Sequence, residues 1–386
     1  MIDINLKIFI TLFIAVFVTA SGAGLVAPLL PVYAHELGAG GLQIGLIFGA
    51  FSLTRTLFVP YFGKLSDRRS KKPLLTVGLF SYFMVSLLFM LSQSVAMLIV
   101  LRLGQGFASA MILPVAQAYV GEITPRDREG RVMGLFNVSL YAGLSVGPFL
   151  GGLVKDWFSI GASFLGMGML TFFGFLLCLL FLPAASIREK RQASDSHGSV
   201  AYTRLMKVPQ IFSLFIFRAC FTTAIGMAWA FLPLLASTRL GLSSSAIGIV
   251  VMINVLVAGI LQVPMGYMAD RFNKKVLTIS GGLLAMVAIL YLDRAPSFWG
   301  LVIANGIFGV AGGVSFPAIM AIGVIEGRRN QSMGSVMGLL ALGHSVGMLV
   351  GPLLAGVVLD FSSFTTVFMV GAVVLLMGTG IFWRNN

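Results

Sequence analysis

The sequence predicts an all-α membrane protein with twelve transmembrane helices in two pseudo-symmetric six-helix halves. Three observations lead there. The 386 residues are 58% hydrophobic and only 10% charged, with a mean hydropathy of +0.98, whereas a soluble domain carries about 25% charged residues. Apolar runs of spanning length, about 20 residues or more, occur twelve times. The second half of the chain repeats the first at an offset of 203 to 204 residues. A soluble globule of this composition would lack solvating groups, and in lipid only structures that satisfy their own backbone are viable. Twelve spans take about 260 residues and leave roughly 120 for connections and tails, too few for a soluble catalytic domain.

In chain order the runs fall near 8–33, 41–62, 74–93, 95–121, 131–154 and 162–183, then 209–235, 243–268, 275–293, 297–325, 332–358 and 363–383. The first is too long for a signal-peptide core, and a second span follows closely. It is therefore expected to remain a span despite the small residues at Ala20–Gly24. Several runs exceed 25 residues and hold Pro or Gly, so tilt and kinks are expected. The polar stretch 184–208, with Arg188, Glu189, Lys190, Arg191, Asp195 and His197, reads as a solvated linker. It divides the chain into an N-terminal half (1–183) and a C-terminal half (209–386).

The net charge of +13 raises the question of nucleic acid. Position answers it. With both termini in the cytoplasm, inner loops and tails hold 20 of the 26 Lys and Arg, and outer loops hold three, Lys155, Arg239 and Arg294. That is the positive-inside pattern of a multi-pass cell (inner) membrane protein, not a nucleic-acid-binding stripe. Cys178 and Cys220 lie in apolar runs and read as core residues. The three histidines are far apart, with no HExxH or CxxC spacing, so no metal site is expected.

The repeat is carried by glycine, proline and charge. Gly63-Lys64-Leu65-Ser66-Asp67-Arg68 answers Gly266-Tyr267-Met268-Ala269-Asp270-Arg271, and Lys71 and Lys72 answer Lys274 and Lys275. Gly106 and Pro114 answer Gly309 and Pro317. Gly143, Gly147, Pro148, Gly152 and Asp156 answer Gly347, Gly351, Pro352, Gly356 and Asp360. Six spans per half give both halves the same direction, related by an axis along the membrane normal, with substrate expected near the midplane.

At these residues the chain resembles the major facilitator superfamily, in its 12-span drug/proton antiporter-like branch, over essentially its whole length. Gly63–Pro73 resembles the family's motif A, with Ser70 where the second glycine usually stands. Arg102-Leu103-Gly104-Gln105-Gly106 is similar to motif B. Gly143–Gly152 matches motif C, the element associated with drug-efflux antiporters. The resemblance implies a gating set of Asp67, Arg68, Lys71 and Glu122, with Asp67 facing the helix that starts near Met333 and Lys71 pairing with Glu122. The matching set is Asp270, Lys274 and Glu326, with the helix starting near Arg131. A carboxylate at a helix N-terminus is favoured by orphan N–H groups and the dipole. Gly143, Gly147, Gly151 and again Gly343, Gly347, Gly351 recur every four residues, a spacing that lets helices approach closely. Pro148 and Pro352 are expected to bend those helices.

All 13 Asp and Glu fall in loops, tails or run ends, yet Arg55, Arg102 and Arg218 lie inside runs. An arginine there costs roughly 2.5–3.5 kcal/mol or more and is expected to face a cavity or a partner. At 100° per residue, Arg102, Gln105, Ser109 and Gln117 fall on one face, as do Arg218, Thr222 and Trp229. These residues, with Asn254, Asn305 and His344, are the candidate substrate-cavity set. For the asparagines an interhelical hydrogen bond is an equal reading. His344 is either a neutral packing residue or a protonation site.

Two functions follow. One is a secondary-active transporter working by alternating access, as a proton-coupled exporter of small amphiphilic compounds. The other is a carrier for an organic anion or anionic lipid bound by the intramembrane arginines. Proton coupling is complicated by the lack of a carboxylate in the first run. No nucleophile–base set suggests an enzyme, and no P-loop or dinucleotide fingerprint suggests a cofactor. The expected partners are a small-molecule substrate, protons and the bilayer, with a monomer as the working unit.

Overall fold

Proline and remote capping decide where the helices begin and break. The computed structural model describes residues 5–68, 70–124, 129–183 and 202–385. The first run forms two helices, α1 (Leu6–Val26) and α2 (Leu29–Glu36), separated at Ala27–Pro28. Then follow α3 (Gly41–Arg68) and α4 (Lys71–Phe89). The fourth run is also divided, into α5 (Val95–Ala110) and α6 (Leu113–Ile123). Pro114 has no N–H to continue the ladder, and the chain tightens before it. Met111 and Ile112 donate to Ala108 and Ser109, both at 3.1 Å. The first half closes with α7 (Glu129–Trp157) and α8 (Ile160–Phe181). After the single turn α9 (Tyr202–Leu205) come α10 (Pro209–Leu240), α11 (Ser244–Arg271), α12 (Lys274–Arg294), α13 (Phe298–Arg329), α14 (Met333–Phe361) and α15 (Phe364–Asn385). Among the described residues, twelve spans are long and apolar enough to cross a membrane. The linker residues 184–201, His197 included, lie outside the described residues.

Several helix starts are capped locally. Ser94, Ser159 and Ser297 accept the N–H groups of Met97, Ala162 and Gly300, as N-cap serines do. Two starts are capped from far along the chain. Asp360, at the end of α14, accepts the N–H groups of Gly41 at 2.5 Å and Leu42 at 2.8 Å. Asp156, at the end of α7, accepts those of Ser244 at 3.0 Å and Ser245 at 2.7 Å.

These contacts explain how the chain divides. One compact unit comprises residues 1–39, 50–189 and 241–252, and the other residues 40–49, 190–240 and 253–386. Helices α3 and α11 therefore each contribute their first turns to one unit and the rest to the other.

In the first unit α1 packs on α7 and α8, and α4 packs on α8 and α5. In the second, α10 packs on α14 and α15, and α12 on α13 and α15, the same plan at the repeat offset. Aromatic contacts fill both interiors: Phe164 lies against Phe89 and Tyr33 in the first, and Phe221 against Phe217 and Phe308 in the second. Large apolar side chains such as Leu180, Val263 and Leu57 are more than 60% exposed, which lipid tolerates and water does not.

Candidate functional site

The glycine ladders set how closely the helices of each unit approach. A Cβ on Gly143, Gly147 or Gly151 would lie 2.5, 2.4 or 1.9 Å from the carbonyl oxygens of Phe17, Ser21 and Leu25 in α1. In the second unit, a Cβ on Gly343, Gly347 or Gly351 would lie 3.0, 2.4 or 2.3 Å from those of Phe215, Ala219 and Thr223 in α10. At 2.5 Å or less no side chain fits, so five of these six positions require glycine for the crossing, and Gly343 is tight at 3.0 Å. Pro148 and Pro352 stand inside unbroken helices. Their rings press on Gly24 and Gly226, where a Cβ would sit 2.9 and 2.8 Å from the proline Cδ.

Inside the first unit lies a polar cluster. The Arg102 guanidinium donates to Gln105 Oε1 at 2.8 Å and stands 4.5 Å from the centre of the Phe51 ring. Gln105 Nε2 in turn donates to the Tyr82 hydroxyl at 2.9 Å and to Met167 Sδ at 3.3 Å. Arg102, Gln105 and Tyr82 are all buried. Arg55 is half-buried, and the Tyr82 hydroxyl sits in the field of both Arg55 and Arg102. The cluster joins α3, α4, α5 and α8, so a charge within a span is met by a cation–aromatic contact and neutral acceptors.

The run from Arg102 to Gln117 is interrupted at Met111–Ile112, between α5 and α6. Ser109 is half-buried on α5, and Gln117, on α6, donates to Asn137 of α7 at 3.5 Å.

The second unit holds a comparable cluster. Arg218 Nη2 lies 3.2 Å from His344 Nδ1, and its guanidinium stands 4.5 Å from the centre of the Phe316 ring. A guanidinium has only donors, so His344 Nδ1 accepts and its proton sits on Nε2. Thr222 is taken up in helix contact: its hydroxyl donates to Arg218 O at 2.8 Å and reaches Gly343 O at 3.4 Å. Trp229 is half-buried further along α10. Asn254 Nδ2 donates to the Asn305 carbonyl at 3.1 Å, joining α11 to α13, so here Asn254 serves helix contact.

Of the gating residues, Lys71 and Glu122 do meet in an ion pair, and Lys71 also donates to Ser66 O at 3.2 Å. The ammonium is buried while the carboxylate is nearly half exposed. The side chains of Asp67, Arg68 and Arg131 lie outside the described residues. In the second unit the matching pair does not assemble. Glu326 is buried but faces Arg329 at 3.8 Å and accepts from Asn330 at 3.3 Å. Lys274 is in none of the ion pairs among the described residues, and Asp270 is exposed. Sequence reasoning missed Phe51, Tyr82, Met167 and Phe316. Only their contacts across helices single them out.

Twelve spans, two units built on one plan and an arginine within the spans of each define a polytopic membrane transporter. The sequence model of the Major Facilitator Superfamily matches residues 12–225 and again 214–386. The chain belongs to that family. It is 26% identical to the uncharacterised MFS-type transporter MJ1560 of Methanocaldococcus jannaschii, over 94% of each chain. It is 27% identical to the multidrug resistance protein MdtG of Enterobacter lignolyticus, over 97% of this chain and 91% of the relative. Among solved structures, the nucleoside transporter NupG shares the fold with a TM-score of 0.81 at 16% identity, over 98% of each chain. The protein is thus a multi-pass membrane transporter with a small-molecule substrate.

Proposed function

We propose that the chain is a proton-coupled, secondary-active exporter of small amphiphilic compounds, working by alternating access as a monomer. Both termini would face the cytoplasm of a cell (inner) membrane, a reading supported by the 20-to-three distribution of cations. The observation that carries the export reading is the Gly143–Gly152 segment. Its glycines hold α7 directly on the α1 backbone, and it matches the motif associated with drug efflux. Similarity to MdtG along nearly the whole chain supports the same reading. In this proposal Arg55, Arg102, Gln105, Ser109, Gln117, Arg218, Trp229, Asn254, Asn305 and His344 serve the substrate path. Lys71 and Glu122 act at the inner gate with Asp67 and Arg68, alongside Asp270, Lys274 and Glu326. The two six-helix halves, 1–183 and 209–386, are the bodies whose exchange of arrangement would carry substrate across.

A second reading, transport of an organic anion or anionic lipid, is favoured by one observation. Of the three intramembrane arginines, Arg102 and Arg218 each lie over a phenylalanine ring and meet a neutral acceptor, Gln105 and His344, and cations held in this way within a span suit an anionic ligand.

One experiment separates the two. Purified protein in proteoliposomes is given an imposed pH gradient, with cationic dyes and organic anions tested side by side and Arg102→Ala as control. Dye movement driven by the gradient supports the exporter. Anion movement abolished by Arg102→Ala, with dyes unmoved, replaces it with the anion carrier.

A further inference from the structure

We propose that Asp156 and Asp360 are two matched latches that hold the first turns of α11 and α3 and release them during the transport cycle. The inference needs only the transporter class, not the substrate or the proton assigned above.

Each carboxylate uses both oxygens on two consecutive backbone N–H groups: Ser244 and Ser245 for Asp156, Gly41 and Leu42 for Asp360. These groups are orphan donors of a helix start, and the positive end of the dipole favours an anion there. Asp156 gains a third bond, from the Ser245 hydroxyl at 2.6 Å. Leu42 has no hydroxyl, so the Asp360 latch is the weaker of the two.

The helix carrying each carboxylate also fits the same backbone closely. One turn before Asp156, a Cβ on Gly152 would lie 2.2 Å from Ser244 O. One turn before Asp360, a Cβ on Gly356 would lie 2.3 Å from Gly41 O. A turn further along, Gly248 and Gly45 meet the carbonyls of Pro148 and Pro352, at 2.3 and 2.4 Å from a Cβ. The carboxylate is thus the polar end of a glycine–proline crossing, and it appears twice at one repeat offset.

An ordinary N-cap comes from the residue just before its helix. Here Ser243 still accepts the Ala246 N–H at 3.3 Å, but the two preceding N–H groups of α11 are taken by a carboxylate 88 or 89 residues back, and those of α3 by one 318 or 319 residues on. Both capped helices run through both compact units. A change in the arrangement of the units therefore either bends α11 near Met252 and α3 near Gly49 or pulls the helix starts off their carboxylates. Charge-assisted bonds at those points weight the equilibrium toward the arrangement in which they are made.

The test uses full-length protein in lipid nanodiscs, with Cys178 and Cys220 replaced by alanine. Spin labels at Trp157 and Ala246 report the first latch, and labels at Phe361 and Gln43 the second. Asn keeps the shape of Asp but turns one acceptor into a donor facing a backbone N–H. Asp156→Asn and Asp360→Asn are each expected to raise the ratio of long to short distances about tenfold at their own pair. Ser245→Ala removes only the hydroxyl bond. It is expected to shift the first pair by a smaller factor and to leave the second alone, and it serves as the test should Asp156→Asn not fold. Unchanged distance distributions in the folded variants, with only a lowered melting temperature, would make the two carboxylates static caps and overturn the proposal.

Discussion

Gly151 rests on the Leu25 carbonyl so closely that a Cβ would be 1.9 Å from that oxygen. Leu25 belongs to backbone that cannot rotate aside, so Gly151→Ala must push α1 and α7 apart. The expected result is loss of folded protein, at a cost of about 1–3 kcal/mol or more, read as lost monodisperse protein and a lowered melting temperature. Gly134 in α7 meets nothing within 4 Å. Gly134→Ala is expected to be neutral or to stabilise by about 0.5–1 kcal/mol through lower chain entropy. Equal behaviour of the two variants would contradict the ladder.

Gln105 connects Arg102 to Tyr82 and Met167. Gln105→Leu removes an acceptor from a buried guanidinium and a donor from the Tyr82 hydroxyl, with an expected cost of about 1–3 kcal/mol. Arg102→Lys keeps the charge but loses the flat cation over Phe51. Transport by Arg102→Lys is expected to fall about tenfold or more, while Gln105→Glu retains the acceptor and keeps the fold. Thermal melting and initial transport rates check both expectations.

The Lys71–Glu122 pair is asymmetric, with a buried ammonium and a carboxylate nearly half in solvent. Solvent screens the interaction, so Glu122→Gln is expected to cost about 1 kcal/mol at most. That cost should shrink as salt is raised from 0.05 to roughly 0.5 M. Lys71→Ala should be worse, because it removes the bond to the Ser66 carbonyl and leaves a gap at a buried position. Melting temperatures at low and high salt measure all three effects.

His344 accepts from Arg218, and glutamine can do the same. His344→Gln is expected to hold the melting temperature close to that of the unaltered protein, whereas His344→Leu lowers it. If His344 also carries the transported proton, His344→Gln loses transport driven by a pH gradient yet keeps substrate-for-substrate exchange. Retention of both activities would leave the imidazole a packing group.

The spans, the repeat and the glycine ladders were legible because each rests on composition or spacing along one chain. Arg102 with Gln105 was legible too, being three residues apart on a helix. The division of that run before Pro114 was not legible, because a count of 100° per residue takes the helix as continuous. Tyr82, Phe51, Met167 and Phe316 escaped notice for a different reason. A chain with 32 phenylalanines and 20 methionines gives no local sign of which one faces an arginine. Lys274 and Glu326 show that a repeat in sequence need not repeat a contact, since Arg329 and Asn330 are nearer partners for the carboxylate.

The capping of α3 by Asp360 also fixes an order of events in biosynthesis. Gly41 is made 319 residues before its acceptor. At about 5–20 residues per second, the start of α3 waits roughly 15–60 s on the ribosome's schedule before Asp360 exists. Asp156, by contrast, is made before Ser244 and Ser245 and meets them within about 5–20 s. Two sites that look alike in the finished molecule thus have opposite histories. One carboxylate is ready before its helix arrives, and the other closes on a helix that has stood uncapped while most of the chain was being made.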